Sequence, residues 1–143
     1  MRNDSLSAVS GGAPEAGGQT LNDVLGIRVG DFDDERIEGS FDVTDAVRQP
    51  LGIVHGGAYS AIAETLASVA TYMFVQADGN VAVGQSNATS FLRPASEGTI
   101  HAVGSRRHRG RTSWIWDVEC RDDAGRVCAL SRVTIAVRPA PAG

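Results

Sequence analysis

His55-Gly56-Gly57-Ala58-Tyr59-Ser60-Ala61-Ile62-Ala63-Glu64 opens an apolar run that continues to Val75. Ala61, Ile62, Ala63, Leu66, Ala67, Val69, Ala70 and Met73 fall on every side of a helix drawn through this run. Such a distribution predicts a buried central helix over about Gly56 to Val75, not an amphipathic surface one. Glu64 is the one carboxylate inside it, and no Lys or Arg lies between Arg48 and Arg93 to neutralise it locally. A buried, unpaired carboxylate is more often functional than structural. Glu64 is therefore the first candidate for chemistry, the alternative being a carboxylate on a solvent-facing helix position.

The two glycines leave the first-turn N–H groups of the helix uncovered, and a helix N-terminus favours negative charge. The amides around Gly56 and Gly57 are thus a candidate site for a developing oxyanion. Glu64 lies eight residues beyond Gly56. At the helical rise per residue that is roughly 12 Å, too far for one carbonyl group to touch both. The two groups can share a substrate only if Glu64 comes from a second chain whose helix runs antiparallel. The expectation is a two-fold dimer with two composite sites.

Working outward, Thr20 to Gly26 reads as a short helix or turn leading into a strand at Ile27–Val29, and Arg36 to Val43 alternates as a second strand. Thr44 to Gly52 is a loop carrying Gln49. After the helix, Ala77-Asp78-Gly79-Asn80 supplies a turn. Four strands follow, at about Val81–Phe91, Thr99–His108, Thr112–Asp122 and Arg126–Val137, separated by Arg93-Pro94, Gly110 and Asp123-Ala124-Gly125. One long helix among consecutive strands implies an α+β protein: an antiparallel sheet of five to six strands packed around that helix. Ala58, Ala61, Ala63, Ala67 and Ala70 let the sheet approach closely.

The chain has 143 residues, 42% of them hydrophobic and 21% charged, which is the size and composition of one globular domain. A net charge of −4 gives no footprint for nucleic acid. No apolar run is long and clean enough for a membrane span, since Ser60, Glu64, Thr65, Ser68 and Thr71 interrupt the nearest one. Residues 1–20, rich in Gly, Ala and Ser, read as a flexible tail with no secretory core, and residues 140–143 as a C-terminal tail around a domain at 21–139. Two cysteines, Cys120 and Cys128, flank a turn and read as small apolar strand residues in a reducing, cytoplasmic setting. The histidines at 55, 101 and 108 have no metal-ligand spacing, and no GxGxxG, P-loop or GxSxG is present.

Several stretches carry a resemblance. They are Arg48-Gln49, Gly52-Ile53-Val54-His55-Gly56-Gly57-Ala58-Tyr59, Ala63-Glu64, Val83-Gly84-Gln85-Ser86-Asn87, Thr89-Ser90-Phe91 and Arg93-Pro94. Further on come Trp114, Trp116-Asp117-Val118, Arg121-Asp122-Asp123-Ala124-Gly125-Arg126 and Ile135-Ala136-Val137-Arg138-Pro139. Over about residues 36–139 the chain resembles the hotdog-fold acyl-CoA thioesterases, most closely the glutamate-type 4-hydroxybenzoyl-CoA thioesterases. The resemblance implies hydrolysis of an aromatic acyl-CoA, with coenzyme A arriving as part of the substrate and no separate cofactor. It implies homodimers that commonly pair into tetramers.

Carried over residue by residue, the resemblance implies that the Gly56 amide polarises the thioester carbonyl and that Glu64 of the neighbouring subunit is the catalytic carboxylate. Gln49 would lie near that carboxylate or its water, and His55 would shape the loop. Ser68 stands one turn after Glu64 in place of a threonine, keeping the hydroxyl. Coenzyme A carries about four negative charges, for which Arg93, Arg111 and Arg138, with Thr112 as a hydroxyl donor, are the candidates. The cluster Arg106-Arg107-His108-Arg109-Arg111 is the alternative cationic patch. Tyr59 and Asn87 are each open between an acyl contact and an interface or strand role. Two other functions stay open at this point: a hotdog enoyl-CoA hydratase or dehydratase pairing His55 with Glu64, and a non-catalytic acyl-CoA-binding module.

Overall fold

A computed structural model describes residues 19–142. The elements follow in the expected order: α1 (Leu21–Leu25), β1 (Arg28–Phe32), β2 (Arg36–Asp42), α2 (Gly56–Val75), β3 (Asn80–Phe91), β4 (Thr99–Arg109), β5 (Ser113–Arg121) and β6 (Val127–Pro139). Short 3-10 turns at Asp45–Val47 and Gln76–Asp78 flank the long helix. The six strands form one sheet in the order β1-β2-β4-β5-β6-β3, every neighbouring pair antiparallel. One long helix lies against this sheet, which is the hotdog arrangement.

Of the tail expected over residues 1–20, residues 1–18 lie outside the described residues, as does Gly143. Thr20 caps α1 through a reciprocal pair with Asp23. Gly26 ends α1 at φ +69°, a left-handed conformation that favours glycine. Among the described residues no helix is long and apolar enough to cross a membrane.

The helix departs from its expected all-round burial. Ala58, Tyr59, Ile62, Ala63, Leu66, Ala67, Ala70 and Thr71 are buried, at the spacing of one helical face. Ala61, Val69 and Met73, on the other sides, are only half-buried in a single chain, and Glu64 is exposed. An apolar helix whose second face lacks cover is what a chain built to meet another surface would present.

On the sheet side, Trp114, Trp116, Val118 and Cys120 of β5 point inward and are buried. Gly39 of β2 lets the helix come close: a Cβ there would meet Leu66 Cδ2 at 2.7 Å. Cys120 and Cys128 are both buried free thiols, and burial pushes Cys120 up to about 12. They fill the core as small apolar residues.

One buried polar contact locks helix to sheet. Trp116 Nε1 donates to Thr71 Oγ1 at 3.0 Å, and that hydroxyl donates to the Ala67 carbonyl at 2.8 Å. Thr71→Val keeps the shape and strands the indole N–H, so it should lower stability by about 1–3 kcal/mol. A urea midpoint equal to wild type would show that the contact adds nothing.

Candidate active site

The loop before α2 is built to deliver His55 to the start of the helix. The Gln49 amide donates to the Ile53 carbonyl and the Gly52 amide to the Gln49 carbonyl, both at 2.9 Å, with Gly52 at φ +83°. The Gln49 side-chain oxygen accepts from the Leu51 amide. Its NH2 group has no hydrogen-bond partner among the described residues. Hydrogen bonds from the Val54 amide to Ala95 and from the His55 amide to Val47 pin the end of the loop.

His55 is the N-cap of α2, and its Nδ1 accepts from the Gly57 amide at 2.7 Å. This has two consequences. The Gly57 amide, expected to share in oxyanion binding, is already taken. The Gly56 amide has no partner among the described residues and is the free donor at the helix start. The lone pair of His55 Nδ1 is also committed, so the neutral ring carries its proton on Nε2. A histidine in that state has no lone pair to take a proton from a substrate carbon, which removes the support for a His55–Glu64 dehydratase pair.

Beside Gly56 stands an aromatic wall. A Cβ on Gly56 would sit 2.7 Å from Phe91 Cζ and 2.8 Å from Phe91 Cε1, so the tip of the ring lies directly against the glycine. Phe91 is 58% exposed although it is a large apolar side chain. Behind it the rings continue inward through Tyr59, 6.3 Å away, to Phe41, a further 6.1 Å. Tyr59 is a core residue, and burial pushes its phenol above the usual range.

Glu64 lies farther along the helix against β3. A Cβ at Gly84 would collide with its carboxylate, so Gly84 forms the notch in which the carboxylate rests. Gly84 sits where β3 slips register against β6. Helix and strand therefore run antiparallel, with Gly56 beside Phe91 and Glu64 beside Gly84. Ser68 follows Glu64 one turn later, half-buried.

The candidate cations split into two groups. Arg111 and Thr112 are exposed in the β4–β5 turn, and Arg138 Nη1 donates to the Thr112 carbonyl at 2.8 Å. Arg138 pairs across the sheet with Val81, at the start of β3. Arg93 follows the other end of that strand. Roughly 35–40 Å of extended chain separates the two groups, so one molecule cannot bring them to a single polyphosphate. The alternative patch is mostly spoken for: Arg106 and Arg109 pair with Asp34, and Arg107 pairs with Asp117. Arg106 and Arg109 also lie over the Trp114 ring, at 5.3 and 4.7 Å.

Gly84 and Phe91 lie within the stretches Val83-Gly84-Gln85-Ser86-Asn87 and Thr89-Ser90-Phe91, where the sequence alone assigns neither a role. An isolated glycine inside a strand pattern signals a bulge or a close approach. Nothing local marks Phe91.

Comparison with known proteins gives the family and the fold. A family model described as "Thioesterase superfamily" matches residues 51–129. The chain is 36% identical over 137 residues to the proofreading thioesterase EntH of Cronobacter turicensis, covering 96% of this chain and 94% of that one. It is 34% identical over 113 residues to the 1,4-dihydroxy-2-naphthoyl-CoA hydrolase of Escherichia coli, covering 79% and 82%. The crystal structure of a variant of the Pseudomonas aeruginosa thioesterase PA1618 superposes with a TM-score of 0.84 at 34% identity, covering 96% and 94%.

Proposed function

The chain belongs to the thioesterase superfamily, and from that premise we propose that it hydrolyses an aromatic acyl-CoA, 4-hydroxybenzoyl-CoA being the best-fitting ester, at two sites shared between the subunits of a dimer. The observation that carries the aromatic reading is the exposed Phe91 ring whose tip abuts Gly56. A thioester whose carbonyl oxygen accepts from the Gly56 amide has its acyl group beside that ring, where an aryl group gains stacking over an alkyl chain. The relative named for 1,4-dihydroxy-2-naphthoyl-CoA points the same way, toward a hydroxylated aromatic acyl group.

Edge-strand geometry supports the shared site. β3 ends the sheet, is twelve residues long and is exposed at most positions, with Val83 and Phe91 uncovered. A long bare edge is a template for a second strand, and here a second copy of β3 fits it. Antiparallel pairing about an axis near Asn87 sets Phe91 of one chain opposite Gly84 of the other. Gly56 then meets Glu64 of the second copy, as the helical rise requires. The same operation carries Arg93 toward Arg111, Thr112 and Arg138 of the second copy. Together they offer the cations and the hydroxyl that a nucleotide diphosphate needs.

In this reading the carbonyl oxygen gains charge against the Gly56 amide as oxygen attacks the carbonyl carbon. With Glu64 as general base, a water proton passes to the carboxylate as the water oxygen bonds to carbon. The C–S bond then breaks and the proton ends on the departing sulfur, leaving a free acid and coenzyme A thiol. With Glu64 as nucleophile, the carboxylate itself bonds to carbon and expels the thiolate. Water then opens the anhydride. Gln49, through its free NH2 group, holds the carboxylate or the water, and Ser68 supports the same group from one turn below. No metal or redox cofactor enters either route.

Thiol release from 4-hydroxybenzoyl-CoA, benzoyl-CoA, phenylacetyl-CoA and hexanoyl-CoA tests the substrate. The highest kcat/KM is expected on the hydroxybenzoyl ester. Phe91→Ala should raise KM for the aryl esters several-fold while leaving hexanoyl-CoA nearly unchanged. A preference for hexanoyl-CoA that survives in Phe91→Ala would replace the aromatic substrate with an aliphatic one.

A further inference from the structure

A chain of side-chain hydrogen bonds crosses from the sheet to the helix between the two chemical groups. Ser131 of β6 is 5% exposed, and its hydroxyl lies 2.7 Å from that of Thr89 on β3. Thr89 donates its one proton to Asn87 Oδ1 at 2.8 Å, so Ser131 must be the donor to Thr89. With Oδ1 occupied, the Asn87 amide can turn only its NH2 toward the helix, and Nδ2 donates to the Ser60 carbonyl at 2.9 Å. Every hydrogen in this relay has one direction.

Ser60 is four residues before Glu64, so its carbonyl is the one that the helix pairs with the Glu64 amide. Asn87 is three residues beyond Gly84, the notch that seats the Glu64 carboxylate. Both the backbone and the carboxylate of Glu64 are thereby referred to a single strand. The same strand carries Phe91 against Gly56. Nothing else among the described side-chain hydrogen bonds joins β3 to α2.

We propose that Asn87, oriented by Thr89 and Ser131, is a positioning residue that sets the Glu64 carboxylate in its catalytic place by fixing the Ser60–Glu64 turn of the helix against β3. The inference rests on the reading of Glu64 as the catalytic carboxylate. It makes Asn87 a determinant of turnover without giving it contact with the reacting atoms. An error of about 1 Å in a catalytic group is enough to lower turnover substantially.

The test is steady-state thiol release from 4-hydroxybenzoyl-CoA by full-length Asn87→Ala, Thr89→Val, Thr89→Ser and Glu64→Ala, each checked for melting temperature and for mass by light scattering. Asn87→Ala should lower kcat about tenfold with KM within about twofold of wild type and mass and melting temperature unchanged. Thr89→Val, which frees the amide to flip, should lower kcat several-fold, and Thr89→Ser, which keeps the donor, should restore it. If Glu64→Ala is inactive while Asn87→Ala and Thr89→Val keep wild-type kcat, the positioning role is overturned and the catalytic reading stands. It is equally overturned if Thr89→Ser is as impaired as Thr89→Val, or if kcat falls only in step with lost dimer or lost melting temperature. An active Glu64→Ala overturns the underlying reading itself.

Discussion

Glu64→Ala is expected to lower kcat for the preferred acyl-CoA by about 10²–10⁴-fold, the range of a lost general base or nucleophile. KM should move little, because the proposed role sets the carboxylate at the reacting centre and away from the coenzyme A body. Folding should also survive. Glu64 is exposed in the single chain, forms no ion pair among the described residues, and rests against a glycine. A variant with near wild-type kcat would take Glu64 out of the mechanism. Glu64→Gln adds a finer reading: it keeps the shape and removes the charge, and the two routes both demand the charge. A single turnover in heavy-oxygen water separates them, since only the nucleophilic route can leave label in the Glu64 side chain.

Gly56→Pro is expected to be nearly as damaging, and for a cleaner reason. Gly56 is the first residue of α2, where proline is well tolerated because its missing N–H would have no intrahelical partner. His55, at φ −64° and ψ 134°, already has the extended conformation that a following proline requires. The substitution therefore deletes one hydrogen-bond donor with little disturbance to the helix. It also introduces a Cβ that meets the Phe91 ring, so Gly56→Ala, which adds the same carbon and keeps the N–H, is the control. Proline should lose about 10²–10³-fold in kcat beyond alanine, the effect of removing one oxyanion donor. Equal activity in the two variants would mean that the Gly56 amide does not hold the carbonyl.

The long helix was legible almost to the residue, because an N-terminal His-Gly-Gly, a sustained apolar run and a glycine turn all mark its limits. The succession of strands along the chain was legible too, since turn residues separate each alternating stretch. Burial of the helix was not. Ala61, Val69 and Met73 have core-like hydropathy, yet one chain covers only the Ile62–Leu66–Ala70 face. Composition reports that a surface will be covered without saying by which molecule.

The candidate site residues could be named from sequence, but their contacts could not. His55 was readable as a loop residue, but that its Nδ1 takes up the Gly57 amide depends on a side-chain rotamer. The notch at Gly84 exists because β3 slips register there, and a slip is a property of two strands. The pairing of Arg106 and Arg109 with Asp34 is not visible in sequence, because Asp34 stands in the β1–β2 turn far up the chain. That β3 lies at the sheet edge follows from the crossover that places β4 beside β2, which no local periodicity encodes.

The shared site is tested most directly by restoring activity from two dead chains. Glu64→Ala and Gly56→Pro, each inactive alone, are co-expressed with different tags, and the mixed species is assayed for thiol release. In a mixed dimer, Gly56 of the first chain meets Glu64 of the second at one site, and both losses fall in the other. Random pairing should therefore return about a quarter of wild-type activity to the pool, all of it in the doubly tagged fraction. Mixed dimers as inactive as either parent would place Gly56 and Glu64 of the same chain in one site and contradict the account.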